Sequence, residues 1–212
     1  QMSMMGGVGA NASELALLSS WGIQFDPNQV VLDATLGLEV RTPQGGVARH
    51  LGILGFDAAS IDEDDVVTAN LESINAASVG ALQLEEGSNL QMLPLLQSSS
   101  NSQLIDTAQY SMTQDPEEFA KGFVAADQAR VIAARFSGQA QSAYAQVEGQ
   151  ADWVDSTDNL NVIVVADADM LADRFWVQQS SFFGQTLFTP FANNGDMFTN
   201  AVENLSGSDA LI

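Results

Sequence analysis

The chain has 212 residues, 46% of them apolar, with 27 Asp and Glu against six Lys and Arg and a formal net charge of −21. That length and apolar content suit a domain with a real hydrophobic core rather than a disordered segment, and the acid excess leaves almost nothing to neutralise a phosphate backbone, which argues against nucleic acid and anionic lipid as direct partners. Zero cysteines exclude disulfides, thiolate metal sites and a cysteine nucleophile, while so much self-repulsion is expected only where charges are screened, in salty or cation-rich surroundings such as those of a salt-adapted organism.

No run approaches the roughly 18 apolar residues of a membrane span. The start, Gln1-Met2-Ser3-Met4-Met5-Gly6-Gly7, has neither a basic nor a long apolar segment, so no signal peptide is expected, and the abrupt ends read as cuts from a longer chain. After the glycine-rich lead, Asn11 or Ser13 is placed to cap a helix with Leu15, Leu18 and Trp21 on one face and Gly22 as its stop. Asp26-Pro27-Asn28 reads as a turn and Val30-Val31-Leu32 as a strand. The alternating Leu36, Leu38 and Val40 are expected to pair with 47–53 in a hairpin across Thr42-Pro43-Gln44-Gly45-Gly46. The acidic run Asp62-Glu63-Asp64-Asp65 lacks the spacing of a calcium loop and reads as a solvated face or a helix start. Further strands are expected at 79–84, 90–96 and 130–136, separated by polar loops such as 98–102.

Asp115-Pro116-Glu117-Glu118 has the marks of a helix start: a capping aspartate, proline at the first helical position, and acids where the helix dipole favours them. Phe119 and Phe123 then share a face. Segment 139–158 reads as a long mobile loop. Asn161-Val162-Ile163-Val164-Val165 reads as a buried strand that opens into an acidic turn, Ala166-Asp167-Ala168-Asp169, and a helix from Met170, the pattern of an α/β unit. In the last helix Phe198, Ala201, Val202 and Leu205 fall at i, i+3, i+4 and i+7, a stripe expected to bury against the sheet, with Gly207 as the stop. The whole predicts a single α/β domain over 1–212, an open, mostly parallel sheet with flanking helices and an added β-hairpin.

Open α/β sheets bind ligands beyond the carboxyl ends of their strands, which makes Asp167 and Asp169 candidate ligand-binding residues. Two carboxylates one residue apart have the chemistry for Mg²⁺ or Ca²⁺, yet no third ligand is fixed by spacing, so neither a metal nor a cofactor is expected. The plainer reading makes Asp169 a helix cap and gives Asp167 the loop amides. Asn193-Asn194-Gly195-Asp196 offers backbone donors at a helix mouth to an anion or polar ligand, or serves as turn and cap with Gly195 at positive φ. Asn193, Asn194 and Asp196 therefore join the ligand-binding candidates. His50 is the only histidine and no Gly-x-Ser-x-Gly elbow accompanies it, so no catalytic triad is expected. Nor is there a Gly-x-Gly-x-x-Gly or Walker loop to cradle phosphate. Trp176 with Phe182 and Phe183, around the polar 178–181, forms a candidate protein-contact patch. Together with Trp21 and Trp153 these aromatics also have the makings of a carbohydrate platform.

Several words of the chain go together: Trp21-Gly22-Ile23, Val30-Val31-Leu32-Asp33, Arg49-His50-Leu51, Leu95-Leu96-Gln97-Ser98-Ser99 and Ala134-Arg135-Phe136-Ser137-Gly138. Above all there are Val164-Val165-Ala166-Asp167, Ala192-Asn193-Asn194-Gly195-Asp196 and Asn204-Leu205-Ser206-Gly207. In these the chain resembles the auxiliary component of the gliding-motility type of ABC transport system. The resemblance implies a large extracytoplasmic region on the periplasmic face of the inner membrane, anchored by flanking helices and accompanied by an ABC permease and ATPase. It also implies a core like the class I glutamine amidotransferase fold, of which this chain is the later part, with the anchors and earlier strands cut away. The cysteine of an active amidotransferase is absent, and no role in motility is inferred. The resulting expectation is a non-catalytic domain that acts by protein or ligand binding and meets the membrane only through anchors outside this chain. The alternatives are a small-ligand or glycan sensor with a cleft at Asp167, Asp169, Asn193, Asn194 and Asp196, and a metal-dependent hydrolase using Asp167 and Asp169.

Overall fold

The computed structural model describes residues 12–42, 45–149 and 151–207. In chain order, α1 (Ala12–Ser20) leads into β1 (Ile23–Phe25), β2 (Gln29–Asp33), β3 (Gly37–Arg41), β4 (Val47–Phe56), β5 (Ile74–Ala77), β6 (Leu82–Leu84), β7 (Leu90–Gln97) and β8 (Ser102–Asp106). Two short helices follow, α2 (Thr107–Met112) and α3 (Pro116–Lys121). Then come β9 (Val131–Gln141), β10 (Ser156–Val165), a 3₁₀ turn at Asp173–Phe175, β11 (Val177–Phe182), β12 (Gln185–Pro190) and α4 (Asn194–Leu205). No helix among the described residues is long and apolar enough to cross a membrane.

Among the described residues every strand pairing is antiparallel. This overturns the expected open, mostly parallel α/β sheet, and with it the amidotransferase-like core. The largest sheet is organised by β9, which has β7 along one side and β10 along the other; β6 joins at Val131 and carries β1. A three-stranded sheet β3-β4-β5, a ribbon β2-β8 and the hairpin β11-β12 complete the set.

The misreading has a physical cause. Continuous apolar runs normally signal parallel strands because helices cover both faces of a parallel sheet. Here an antiparallel sheet is also covered on both faces. On one side Leu95, Leu96 and Ala133 meet Val31, Leu54, Phe56, Ile74 and Met197, with Ile163 and Val165 packed against them. On the other, Leu82, Leu90, Ala134 and Phe136 meet Ile23, and Leu18, Trp21, Val162 and Val164 pack against that core. Each large side chain so buried contributes about 1.5–3 kcal/mol. A third cluster, Val30, Leu32, Leu51, Ile105 and Phe119, seats α3 on the β2-β8 ribbon, with Tyr110 and Phe123 against it.

Other expectations are met locally. The 36–53 hairpin forms as β3 and β4, though Pro43 and Gln44 lie outside the described residues. Asp26 accepts the Asn28 N–H in its turn, at 2.9 Å. Asp115 caps α3 through the Glu117 N–H, with Pro116 behind it. Helix α1 ends before Gly22 at φ 74°; Ser13 lies inside it, and Asn11 is outside the described residues.

Two expectations fail and two hold only in part. The loop expected over 139–158 is present over 142–155, with strand at both of its ends. No helix begins at Met170; the chain reaches α4 through the 3₁₀ turn and the β11-β12 hairpin. In the acidic run Glu63 and Asp64 are exposed, as a solvated face should be, but Asp65 is not. It is buried, its carboxylate bound by Arg135 Nε and Nη2 at 2.6 and 2.8 Å. Finally, Phe198, Val202 and Leu205 of α4 are exposed, and the helix is seated instead by buried Met197 and half-buried Ala201.

Candidate binding surfaces

Among the described residues β5 is paired with a strand, β4, along one edge only. Its other edge is occupied by side chains from the C-terminal segment instead of a strand. Asn193 Oδ1 accepts the N–H groups of Glu72 and Ser73 at 3.1 and 3.2 Å, and the Asn193 N–H donates to the Ser73 carbonyl at 2.7 Å. Two residues on, Asn194 Oδ1 accepts the Asn75 N–H at 3.1 Å, while its Nδ2 donates to the carbonyls of Asn75 and Met170 at 2.6 and 2.7 Å. Two residues further, Asp167 Oδ2 accepts the Ala77 N–H at 3.2 Å. Ser73, Asn75 and Ala77 are the positions whose backbone groups face outward under strand alternation, so carboxamides and a carboxylate replace the missing partner strand.

The five ligand-binding candidates are thus brought together, mostly with their polar atoms engaged. Asp167 gives its second oxygen to the Asp169 N–H at 2.6 Å. Burial pushes its carboxyl above the ordinary value, against the lowering effect of those backbone donors. Asp169 is exposed and pairs with Arg174 at 3.1 Å. Asp196 accepts from Asn193 Nδ2 at 2.8 Å. Gly195 does not take the expected positive φ. It is small because a Cβ there would stand 2.6 Å from the Trp176 ring. Among the described residues no three His, Asp or Glu side chains stand close enough to share a cation.

Trp176, Phe182 and Phe183 divide between base and tip of one hairpin. Trp176 packs on the start of α4, donates Nε1–H to the Leu171 carbonyl, and accepts the Phe191 N–H on its own carbonyl. Phe182 closes the ladder opposite Gln185. Phe183 and Gly184 form the two-residue turn, both at positive φ, 49° and 78°. Glycine takes that conformation freely, whereas a bulky residue is rarely held there. Phe183 is 92% exposed, every residue of β12 is exposed, and no charged residue stands between Arg174 and Asp196.

A family model describing an ABC-type uncharacterized transport system matches residues 5–201. The chain belongs to this family. Membership makes it an auxiliary part of an ABC-type transport system and associates it with such a system. No curated protein and no solved structure matches the chain.

Within this family member, two concave regions were not legible from sequence. A polar cleft of about 560 Å³ lies where α1 meets the far end of the large sheet, lined among others by Trp21, Glu85, Asn89, Gln139 and Gln141. An apolar groove of about 300 Å³ lies between β10 and α4. The cleft is assembled from segments far apart in sequence, and the groove from two segments separated by the β11-β12 hairpin. The exposed Leu187, Phe188 and Phe191 were also missed, although the uncharged run and the Phe183-Gly184 turn signal them. His50 sits on β4 away from these surfaces, its ring 5.0 Å from Phe119 and 6.1 Å from Tyr110. Burial lowers its pKa below the ordinary value, with a backbone hydrogen bond opposing.

Proposed function

We propose that the chain is a non-catalytic, extracytoplasmic docking domain of an ABC-transporter auxiliary protein, held at the periplasmic face of the inner membrane by anchors outside this chain, and that it contacts the permease that works with the system's ATPase. The observation that carries the reading is the β11-β12 hairpin. It is uncharged in a strongly acidic chain, open to solvent along β12, and tipped by an aromatic residue in a backbone conformation such residues avoid. A lone two-stranded hairpin is marginal in water. Exposed aromatic and aliphatic side chains on such an element are expected where a partner covers them. The most motif-like polar residues, meanwhile, are occupied in holding β5, which favours binding over chemistry at Asp167 and Asn194.

The test is affinity purification of the full-length protein from its native membrane in mild detergent, followed by mass spectrometry. The permease and ATPase should accompany the native protein and be lost from a Phe183→Ser/Phe188→Ser variant whose melting curve is unchanged. Recovery of neither subunit with the intact native protein, or equal recovery with the variant, would contradict the reading. A second reading, small-ligand or glycan sensing, draws support from the polar cleft beside Trp21, whose lining includes carboxamides and carboxylates as well as that aromatic residue.

A further inference from the structure

β10 ends the large sheet. The Ala166 N–H donates to the Ile132 carbonyl at 2.8 Å, and alternation from that pair turns the backbone groups of Val162 and Val164 toward β9 and those of Asn161, Ile163 and Val165 outward. Among the described residues no strand pairs with that outer edge. Helix α4 lies above it, seated by Met197 and Ala201, while Phe198, Val202 and Leu205 remain 54%, 51% and 41% exposed. These three, with Ile163, Val165 and Leu171, line the apolar groove.

We propose that this edge and groove bind an extended basic and aliphatic segment of a partner protein, which adds to β10 as a further strand. The outward N–H and C=O groups of Asn161, Ile163 and Val165 supply the ladder. Every second side chain of the added strand faces α4 and covers Phe198, Val202 and Leu205. Charge selects the occupant. The charged residues of β10 and α4 are Asp158, Asp196 and Glu203, all acidic; Asp167 lines the groove, and neither element carries Lys or Arg. A segment with aliphatic residues on the groove side and Lys or Arg between them is attracted, whereas a second copy of this chain brings a further −21 against it. The site is separate from the β11-β12 hairpin, so permease docking through the hairpin stands or falls on its own experiment.

The probe is a short fluorescein-labelled peptide of alternating Lys and Val, titrated against the chain at low salt by fluorescence anisotropy. Saturable binding is expected, weakening as salt rises. A Phe198→Glu/Val202→Glu variant should bind about tenfold more weakly or worse, a free-energy loss of about 1.4 kcal/mol. Asn161→Pro, which deletes one outward N–H at an edge position, should also bind more weakly, and the amide signals of Asn161, Ile163 and Val165 should shift on binding. Melting curves establish that both variants are folded. The proposal is overturned by absence of saturable binding, by equal affinity for the matching Glu and Val peptide, or by binding that neither variant weakens. Self-association of the native chain that Phe198→Glu abolishes would assign the groove to a second copy and overturn it equally.

Discussion

β5 and β10 both leave a row of outward backbone groups, and the molecule treats the two rows differently. On β5 the outward groups of Ser73, Asn75 and Ala77 are met by Asn193, Asn194 and Asp167, reaching in from a segment about a hundred residues away in sequence. On β10 the corresponding groups of Asn161, Ile163 and Val165 have no strand beside them among the described residues, and an apolar helix face overhangs the row. A sealed edge belongs to the folded chain's own stability. An open one is a template for another strand. The contrast gives the Asn193-Asn194 motif an architectural role and, under the strand-addition proposal, gives the plainer aliphatic run of β10 its contact with a partner.

Substitutions sharpen this contrast. The largest loss is expected where β10 and its neighbour are tied to the body: Arg135, on β9, binds buried Asp65 with two nitrogens and reaches Asn161 of β10 with the third at 3.0 Å. Burial alone raises the Asp65 carboxyl, but the Arg135 and Val67 hydrogen bonds and the Arg135 charge outweigh it and hold the group below its ordinary value. Arg135→Met, by stranding that charge, should cost about 3–5 kcal/mol in urea unfolding. A further Asp65→Val change should restore most of it. Asn194→Ala comes next. It unpairs both backbone groups of Asn75 and the Met170 carbonyl in a fully buried position, and about 3 kcal/mol should be lost.

A smaller effect depends on pH and belongs to neither edge. Because burial lowers the folded-state pKa of His50, the unfolded chain binds the proton more tightly. Stability should therefore rise with pH through this window and be lost as pH falls below about 6.5. His50→Gln should flatten that slope in a series of melting curves while leaving the exchange behaviour of both edges unchanged. The smallest effect is expected on the open side: Phe198→Ser or Val202→Ser should change stability by no more than about 0.5 kcal/mol, since both side chains are already exposed. A loss as large as that of Asn194→Ala would show that the groove is packed in the isolated chain and would break the comparison.

Sequence revealed strands where alternation or apolar runs marked them, and the α3 cap where Asp115-Pro116 announced it. It did not reveal direction. Val162 to Val165 is apolar on both faces because two cores enclose the sheet, a pattern shared by parallel strands, so the run could not separate the two architectures. The stripe on α4 was legible as a stripe, but its orientation depends on Met197 and on the pins at Asn193 and Asn194, which are tertiary facts. The same limit applies to the candidate site. Residue types such as Asn and Asp fit a ligand cleft, a cap or a backbone clamp equally well, and only the position of β5 distinguishes them.

The most direct measurement is residue-resolved amide hydrogen exchange on the isolated chain. The N–H groups of Ser73, Asn75 and Ala77 should be protected nearly as well as the core of β9, while those of Asn161, Ile163 and Val165 exchange far faster than the inward-facing Val162 and Val164. Fast exchange at Asn75 and Ala77, or uniform protection along β10, would contradict the account of one sealed and one open edge.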